Sequence, residues 1–185
     1  MSDQELLDLL DGAGAATGRR CMRKTAHRLG LWHRTVHVWL LNRNGELLIQ
    51  LRAHDKESYP GLWDISAAGH CCSGDTSIGA ALREIKEELG ISADSSKLYY
   101  LFSVTQQNCL HNSTYIDNEY CDVYLLKQEI SVDRIDPDSC EVAQVRYIHW
   151  IDLEKVYCGP QFVRHDEEYR RLFDFLKAER ADLTG

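Results

Sequence analysis

Apolar and polar residues alternate along several short runs of the chain, and these runs predict its strands. Residues 34–41 are rich in β-branched and aromatic side chains, which is typical of a buried strand. Residues 42–45 end in Asn-Gly and predict a hairpin turn, so the alternating apolar residues over 46–52 form the returning strand. Further strands are predicted over residues 63–68, closed by Gly69, and over 98–106, 119–127 and 142–150.

Two segments have the apolar spacing of amphipathic helices. The first covers residues 77–89, with Asp75 or Thr76 as its N-cap and Gly90 as the residue that ends it. Its apolar stripe is predicted to consist of Ile78, Leu82, Ile85 and Leu89. The second helix covers about residues 162–181, and its predicted inward residues are Phe162, Tyr169, Leu172, Phe173 and Leu176.

The remaining segments are read from composition. Residues 5–10 form an apolar and acidic run that ends at a turn signal over 11–14, and residues 18–30 are basic and predicted to be extended. Residues 107–118 are predicted to be a polar connection between two strands. Strands that alternate with two helices favour the α/β (α+β) class, and 185 residues suit one domain.

Composition and charge narrow the class of protein. The chain is 44% hydrophobic and 27% charged, which is ordinary for a globular protein. Its formal net charge of −8 argues against a general binder of nucleic acids or anionic membranes. No run approaches about 18 consecutive apolar residues, and no apolar signal region is evident. The seven cysteines form no C-x-x-C pair, so we expect a cytoplasmic protein with reduced thiols.

The predicted helix over 77–89 carries an excess of carboxylates. Glu84, Glu87 and Glu88 are spaced i, i+3 and i+4, which places them on one surface within about one turn. Like charges this close destabilise an exposed helix by about 0.2–0.5 kcal/mol per pair. A hard cation such as Mg²⁺ would convert this repulsion into attraction. The alternative is a solvated helix face on which Arg83 pairs with Glu87.

The acidic helix is part of a longer pattern with fixed spacing. Gly69 is followed after five residues by Asp75, and after seven more by Arg-Glu-Ile-Lys-Glu-Glu-Leu-Gly-Ile. The pattern over 69–91 resembles the Nudix box, G-x5-E-x7-R-E-U-x-E-E-x-G-U with U apolar, and Asp75 is its one departure. The resemblance implies a Nudix-type α/β/α sandwich with a mixed β-sheet, a catalytic loop-helix-loop and a C-terminal helix. It also implies a single Nudix domain over 1–185, with residues 1–30 as an N-terminal extension or hairpin packed on it.

Segments outside the box resemble the branch of Nudix proteins near type I isopentenyl-diphosphate isomerase. The similar segments are 33–39, 50–52, 60–70 and 117–119. The isomerase carries a catalytic Cys where this chain has Ala68, and it tends to have lost parts of the box that are intact here. The resemblance therefore favours a hydrolase of the isomerase-like branch. The isomerase itself and a non-catalytic nucleotide-binding module are the alternatives.

The resemblance implies a site that uses Mg²⁺ or Mn²⁺ to hydrolyse a diphosphate bond. The implied metal ligands are Glu84, Glu87, Glu88 and the Gly69 carbonyl, with His33, His70 and Asp117 as additional candidates. For the two histidines, the alternative is a role as hydrogen-bonded pocket residues. The implied catalytic residues are Arg83, Glu84, Glu87, Glu88 and Glu119. Arg83 would orient a box glutamate, and the base is left open among Glu87, Glu88 and Glu119.

Substrate contacts are expected outside the box. Arg52 ends the second strand and Lys56 lies just after it, and both are predicted to bind phosphate oxygens. The alternative, above all for Lys56, is a solvated surface charge. The expected partner is a small-molecule diphosphate, either a nucleoside diphosphate linked to a second group or an isoprenoid diphosphate. Specificity is expected in the loops at 53–59, 106–118 and 156–166. A homodimer is an alternative that the sequence does not decide.

Overall fold

The structure, a computed structural model, describes residues 5–111 and 114–182. Within these ranges the strands are β1 (Leu6–Leu10), β2 (Ala16–Met22), β3 (His33–Leu41), β4 (Glu46–Arg52), β5 (Trp63–Asp64), β6 (Ala67–His70), β7 (Leu98–Leu110), β8 (Tyr115–Lys127) and β9 (Val142–His149). The α-helices of the same ranges are α1 (Arg23–Leu29), α2 (Ser77–Leu89), α3 (Trp150–Val156) and α4 (Asp166–Asp182). Among these helices, none is both long and apolar enough to cross a membrane.

Strand β3 lies inside a mixed sheet and has both an antiparallel and a parallel neighbour. β6 pairs with it in antiparallel orientation, and β8 pairs with it in parallel from His33 to Leu41. β7 and β8 form a long antiparallel hairpin, while β4 pairs with β5 and β9. The β1–β2 hairpin joins β3 at its first residue. Because β6 and β8 flank the start of β3, His33, His70 and Glu119 lie at the same end of the sheet.

Helices cover both faces of the sheet. Side chains alternate between the two faces of a strand, so Val36, Val38 and Leu40 of β3 pack in the core that includes α2. Trp39 points the other way, into a second core that includes Phe173 of α4. Each core is closed by a helix that presents an apolar face to the sheet. This arrangement confirms the predicted α/β (α+β) class with a mixed sheet.

Helix α2 begins and ends at the predicted residues. Thr76 is the N-cap and accepts a hydrogen bond from the Gly79 amide, while Gly90 adopts a left-handed conformation with φ of 67°. The alternative N-cap, Asp75, accepts instead from the Cys72 amide. The predicted stripe is wrong at Ile78, which is 41% exposed. Small alanines at positions 80 and 81 are buried in its place, which allows the helix backbone to approach the sheet.

The N-terminal segment differs from the prediction. Residues 18–30 are not extended throughout, because α1 follows β2 directly and ends at Gly30 in a left-handed conformation. Seven residues are too few to show a clear helical period. The helix exists because it buries Ala26 and His27. Because this segment is helical, His27 is buried against the sheet.

Four further boundaries are corrected. The predicted strand over 63–68 is two short strands, β5 and β6. The predicted connection over 107–118 consists largely of the ends of β7 and β8, although residues 112–113 lie outside the described part. The strand predicted to reach residue 150 ends one residue earlier, where α3 begins. Phe162 precedes α4 and bridges to Trp63, whereas the inward residues predicted within the helix are buried.

Candidate active site

One cleft of about 470 Å³ collects the predicted site residues. It lies beside α2 and the start of β3, and the N-terminal helix, the segment after β4 and the β7–β8 hairpin also contribute to its walls. The predicted residues that line it are Arg52, Lys56, Gly69, His70, Arg83, Glu84, Glu87, Glu88, Asp117 and Glu119. His33 is fully buried behind His70 and Glu119. The fold therefore brings the box helix and the isomerase-like segments into one place.

The three box glutamates occupy different environments. Glu84 and Glu88 are buried, whereas the side chain of Glu87 is 59% exposed. Glu88 Oε2 accepts hydrogen bonds from Gln50 Nε2 and from the Ala68 amide, each at 3.1 Å. Burial raises the pKa of Glu88 to about 7, and burial together with the nearby Glu88 charge raises that of Glu84 to about 8. Ionising both buried carboxyl groups at once is unfavourable. A cation bound between them would stabilise the ionised pair.

Gly69 is required by the close approach of β6 to α2. A Cβ atom built at this position would overlap the Glu84 carboxylate. The strand backbone therefore lies directly against the acidic face of the helix, and any larger residue at this position would displace the Glu84 carboxylate. The Gly69 carbonyl as a metal ligand stays a prediction.

Arg83 connects the box helix to β6. Its Nη1 donates to Glu84 Oε1 at 2.7 Å and to Glu87 Oε2 at 3.1 Å. Its Nη2 donates to the backbone carbonyl of His70 at 2.8 Å. The guanidinium group is therefore occupied by protein oxygens, in a geometry that holds two glutamates in place. Its catalytic contribution stays a prediction.

A cluster of histidines lies next to the box. One ligand atom from each of His27, His33, His70 and Glu119 lies within 4.8 Å of the others, and all four residues are buried. His27 Nε2 is 3.0 Å from His70 Nε2, and Glu119 Oε1 is 3.5 Å from His33 Nε2 and 3.7 Å from His70 Nε2. The sequence does not predict His27 as a site residue, because the segment that forms α1 is predicted to be extended. Its spacing from His33, five intervening residues in a basic segment, is the signal that was available.

Two nitrogen atoms of the cluster are buried without a hydrogen-bond partner among the described residues. They are His27 Nδ1 and His33 Nε2, although carboxylate oxygens of Asp117 and Glu119 lie 3.1 and 3.5 Å away. His33 Nδ1 is 2.8 Å from the Leu31 carbonyl, which can only accept, so Nδ1 carries the proton. In the neutral ring the lone pair of Nε2 is directed at the cluster. Burial opposes protonation of His33, but Glu119 more than offsets it and raises the pKa of His33, so a cation at Nε2 would replace a proton there. A histidine held in this way is the usual form of a metal ligand.

The charges of the cluster also fit a divalent cation. Burial, together with neighbouring positive charges, holds the pKa of His70 well below its usual value, so this ring is neutral. Burial opposes ionisation of Glu119, but His33 more than offsets it and lowers the pKa of Glu119 to about 2. Burial raises the pKa of Asp117. A neutral imidazole beside an ionised carboxylate is a donor set that suits Mn²⁺ or Zn²⁺.

The predicted phosphate-binding cations have carboxylate partners. Arg52 Nη1 is 3.1 Å from Asp64 Oδ2, and Lys56 forms an ion pair with Glu141. Both still line the cleft, and their role toward phosphate stays a prediction. A third cation, Arg23, also lines the cleft, and it belongs to the basic segment over 18–30, which the sequence offers as a local basic patch near an anionic ligand.

Comparisons with known proteins identify the family. The model of the NUDIX domain matches residues 31–175, and the chain therefore belongs to the Nudix family. Nudix hydrolase 3 of Arabidopsis thaliana is 36% identical over 181 residues, which cover 94% of this chain and 23% of that protein. An isopentenyl-diphosphate Delta-isomerase of Serratia proteamaculans is 33% identical over 121 residues, 65% of either chain. A protein from Deinococcus radiodurans has the same fold, with a TM-score of 0.73, 24% identity, and 90% of this chain and 98% of that chain covered.

These likenesses confirm the predicted branch of the family, which resembles the isomerase. The matched domain places the chain in the class of hydrolases that act on pyrophosphate bonds. The chain spans less than a quarter of the length of the Arabidopsis relative and about two thirds of the Serratia one. The activity of the whole protein is therefore taken up as a proposal.

Proposed function

We propose that this chain hydrolyses the diphosphate bond of a small-molecule diphosphate with the help of Mg²⁺ or Mn²⁺. The observation that carries the proposal is the convergence of two acidic ligand sets in one cleft. Glu84 and Glu88 come from the box helix, while Glu119 and the histidine cluster come from the sheet. Cationic side chains line the same cleft, where they would meet the phosphate oxygens.

The residues present fit divalent metal ions in both sets. The Glu84–Glu88 pair and the exposed Glu87 are oxygen ligands of the kind that Mg²⁺ and Mn²⁺ prefer. The histidine cluster offers the neutral imidazole of His70 and the ionised carboxylate of Glu119, beside the ring nitrogens of His27 and His33. When bound, such ions would neutralise the diphosphate and make a water molecule more acidic.

The chain's own residues then have distinct tasks. A water oxygen attacks one phosphorus, the bridging P–O bond breaks, and the departing phosphate or phosphate ester carries away the electron pair. A carboxylate at the cleft takes the proton from the water, and Glu87, Glu88 and Glu119 are the groups that face it. Arg83 keeps Glu84 and Glu87 in position through its hydrogen bonds. Arg52 and Lys56 would exchange their carboxylate partners for phosphate oxygens.

A substrate panel tests the proposal. Isopentenyl diphosphate, nucleoside di- and triphosphates, nucleotide sugars and dinucleotides are incubated with the protein and Mg²⁺ or Mn²⁺, and the products are identified. We expect release of phosphate or of a monophosphate from at least one diphosphate, its loss with a chelator, and its recovery when metal is added back. Metal-independent turnover, or no turnover of any member, would contradict the proposal.

The isomerase is a second candidate because His33, His70 and Glu119, which lie in the isomerase-like segments, meet in one cluster. It is disfavoured because Ala68, which lines the cleft, carries only a methyl group and cannot transfer a proton. Conversion of isopentenyl diphosphate into dimethylallyl diphosphate without phosphate release would establish this activity in place of hydrolysis. Tight binding of a nucleotide without turnover would instead indicate the non-catalytic module.

A further inference from the structure

Two amide side chains lie directly across from the acidic residues of the cleft. Gln106 and Asn108 of β7 both line the cleft. In the register of the β7–β8 hairpin, Gln106 pairs with Glu119 and Asn108 pairs with Asp117. Side chains in such cross-strand pairs have Cβ atoms about 4.5–5.5 Å apart. A group attached to a diphosphate at the acidic site would therefore come within reach of these amides.

Gln106 is held in one orientation by its neighbours. Asp64 Oδ1 is 2.9 Å from His165 Nε2, and a carboxylate accepts, so this nitrogen is the donor. With the His165 ring neutral, its Nδ1 accepts from Gln106 Nε2, at 3.1 Å. In this arrangement the amide oxygen of Gln106 has no hydrogen-bond partner among the described residues. Within the described ranges, the side-chain amide of Asn108 has no hydrogen-bond partner.

Most of the side chains that line the cleft carry polar or charged groups. Of the described residues that line it, only Ala68 and Val163 are aliphatic. An isoprenyl chain placed there would take the two amides out of water without replacing their hydrogen bonds, which is unfavourable. A hydroxylated group would satisfy both the donors and the acceptors of these side chains. The size of the cleft, about 470 Å³, suits a ligand larger than a diphosphate alone.

We propose that Gln106 and Asn108 determine specificity by binding a hydroxylated sugar attached to the diphosphate, and that they select against isoprenyl groups. This inference rests on the proposed diphosphate hydrolysis and adds the substrate class. The two residues fall at the start of the 106–118 segment, where the sequence predicts a specificity loop. The structure replaces that loop, up to Leu110, with a strand whose register is fixed by β8.

The test compares ADP-ribose with isopentenyl diphosphate. ADP-ribose carries a ribose on each phosphate, so either binding direction presents hydroxyl groups to the amides. Gln106→Leu and Asn108→Leu are each expected to lower kcat/KM for ADP-ribose by about 10-fold, while kcat/KM for isopentenyl diphosphate stays equal or rises. The matched control is Gln107→Leu, since this side chain is exposed and contacts Asn118. It should leave both values unchanged.

Binding measurements separate this inference from the proposed function. Calorimetry with each compound gives affinities whether or not turnover occurs, and it should show tighter binding of ADP-ribose by the unaltered chain. Turnover of neither compound, combined with this binding preference and its loss in the two variants, would support the specificity residues and count against hydrolysis. A preference for isopentenyl diphosphate would overturn the inference even if hydrolysis is found. The inference would also be overturned if neither variant changed the ratio of kcat/KM for ADP-ribose to kcat/KM for isopentenyl diphosphate.

Discussion

At the scale of single residues, identical side chains in the box have different roles because their surroundings differ. Glu84 and Glu88 are buried and have raised pKa values, whereas Glu87 is largely exposed. The spacing of the three residues is visible in the sequence, and it predicts their common surface. The burial of Glu84 and Glu88 depends on Gly69 of β6 and Gln50 of β4, which lie against the helix. The sequence therefore identifies the three carboxylates but does not show which of them are buried and have raised pKa values.

We expect Glu88→Gln to reduce kcat by about 100-fold or more, since a neutral amide neither binds a cation strongly nor accepts the proton of a water. The amide oxygen can still accept from the Ala68 amide, and a buried charge is removed, so the midpoint of thermal unfolding should stay equal or rise. Steady-state kinetics and thermal denaturation provide the two measurements. Glu167→Gln on the exposed face of α4 is the control. Full activity of the Glu88 variant would remove this residue from the mechanism.

His33→Asn isolates the predicted nitrogen ligand. The Asn side-chain nitrogen can replace His33 Nδ1 in its hydrogen bond to the Leu31 carbonyl, while the unpartnered Nε2 is deleted. We expect Mn²⁺ affinity at this cluster to fall by about 10-fold or more, measured by calorimetric titration. His54→Gln, at an exposed position, should not change it. An unaltered titration of the His33 variant would show that the cluster binds no metal.

At the scale of elements, the sequence predicts those whose signals are local. Helix α2 is bounded by Thr76 and Gly90, and both ends are found as predicted. The outer halves of β7 and β8 were missed because their residues are polar where they line the cleft, which makes them similar to a loop. Helices α1 and α3 have seven residues each, and such short helices depend on tertiary packing rather than on a sequence period.

The end of α2 gives a prediction about this element. Gly90 has φ of 67°, and a Cβ atom there would lie 2.6 Å from the Asp136 carbonyl oxygen. Gly90→Ala should therefore lower the free energy of unfolding by more than the cost of about 1 kcal/mol that an Ala in a left-handed conformation carries by itself. Urea denaturation measures the change. Gly74→Ala is the matched control, because φ is 89° and no heavy atom lies within 4 Å of the added Cβ. Equal losses in the two variants would show that the segment at Asp136 moves aside.

At the scale of the whole molecule, a buried polar network connects the sheet to α4. Glu168 in the first turn of α4 accepts from Trp39 Nε1 and pairs with His37 Nδ1, each at 2.7 Å. The sequence predicts the apolar face of this helix and gives no role to Glu168. Glu168 is instead 1% exposed, because two side chains of β3 supply its partners. The residues that pair here are far apart in the sequence. Neither the strand pattern around His37 nor the helix pattern around Glu168 predicts their contact.

This network makes the stability of the whole fold depend on pH. Burial opposes protonation of His37, but Cys121 and Glu168 beside it more than offset this and raise its pKa well above the usual value. His37 therefore contributes stability fully below its unfolded pKa of about 6.5, and the contribution is lost as pH rises through the raised pKa. Burial likewise opposes ionisation of Glu168, yet His37 lowers its pKa. The contribution of Glu168 is present above about pH 4.3 and is lost on acidification through its lowered pKa.

A double-mutant cycle with His37→Gln, Glu168→Gln and the combined variant measures this coupling by urea denaturation. Removal of one partner leaves a buried charge without compensation, so each single variant should lose about 3–5 kcal/mol near pH 6. The combined variant should lose less than the sum, because neither charge remains. The coupling free energy should then decrease as the measurement is repeated at increasing pH, through the raised pKa at which His37 loses its proton. A coupling that is constant or increases with pH would show that Glu168 joins α4 to the sheet through a neutral hydrogen bond and not through an ion pair.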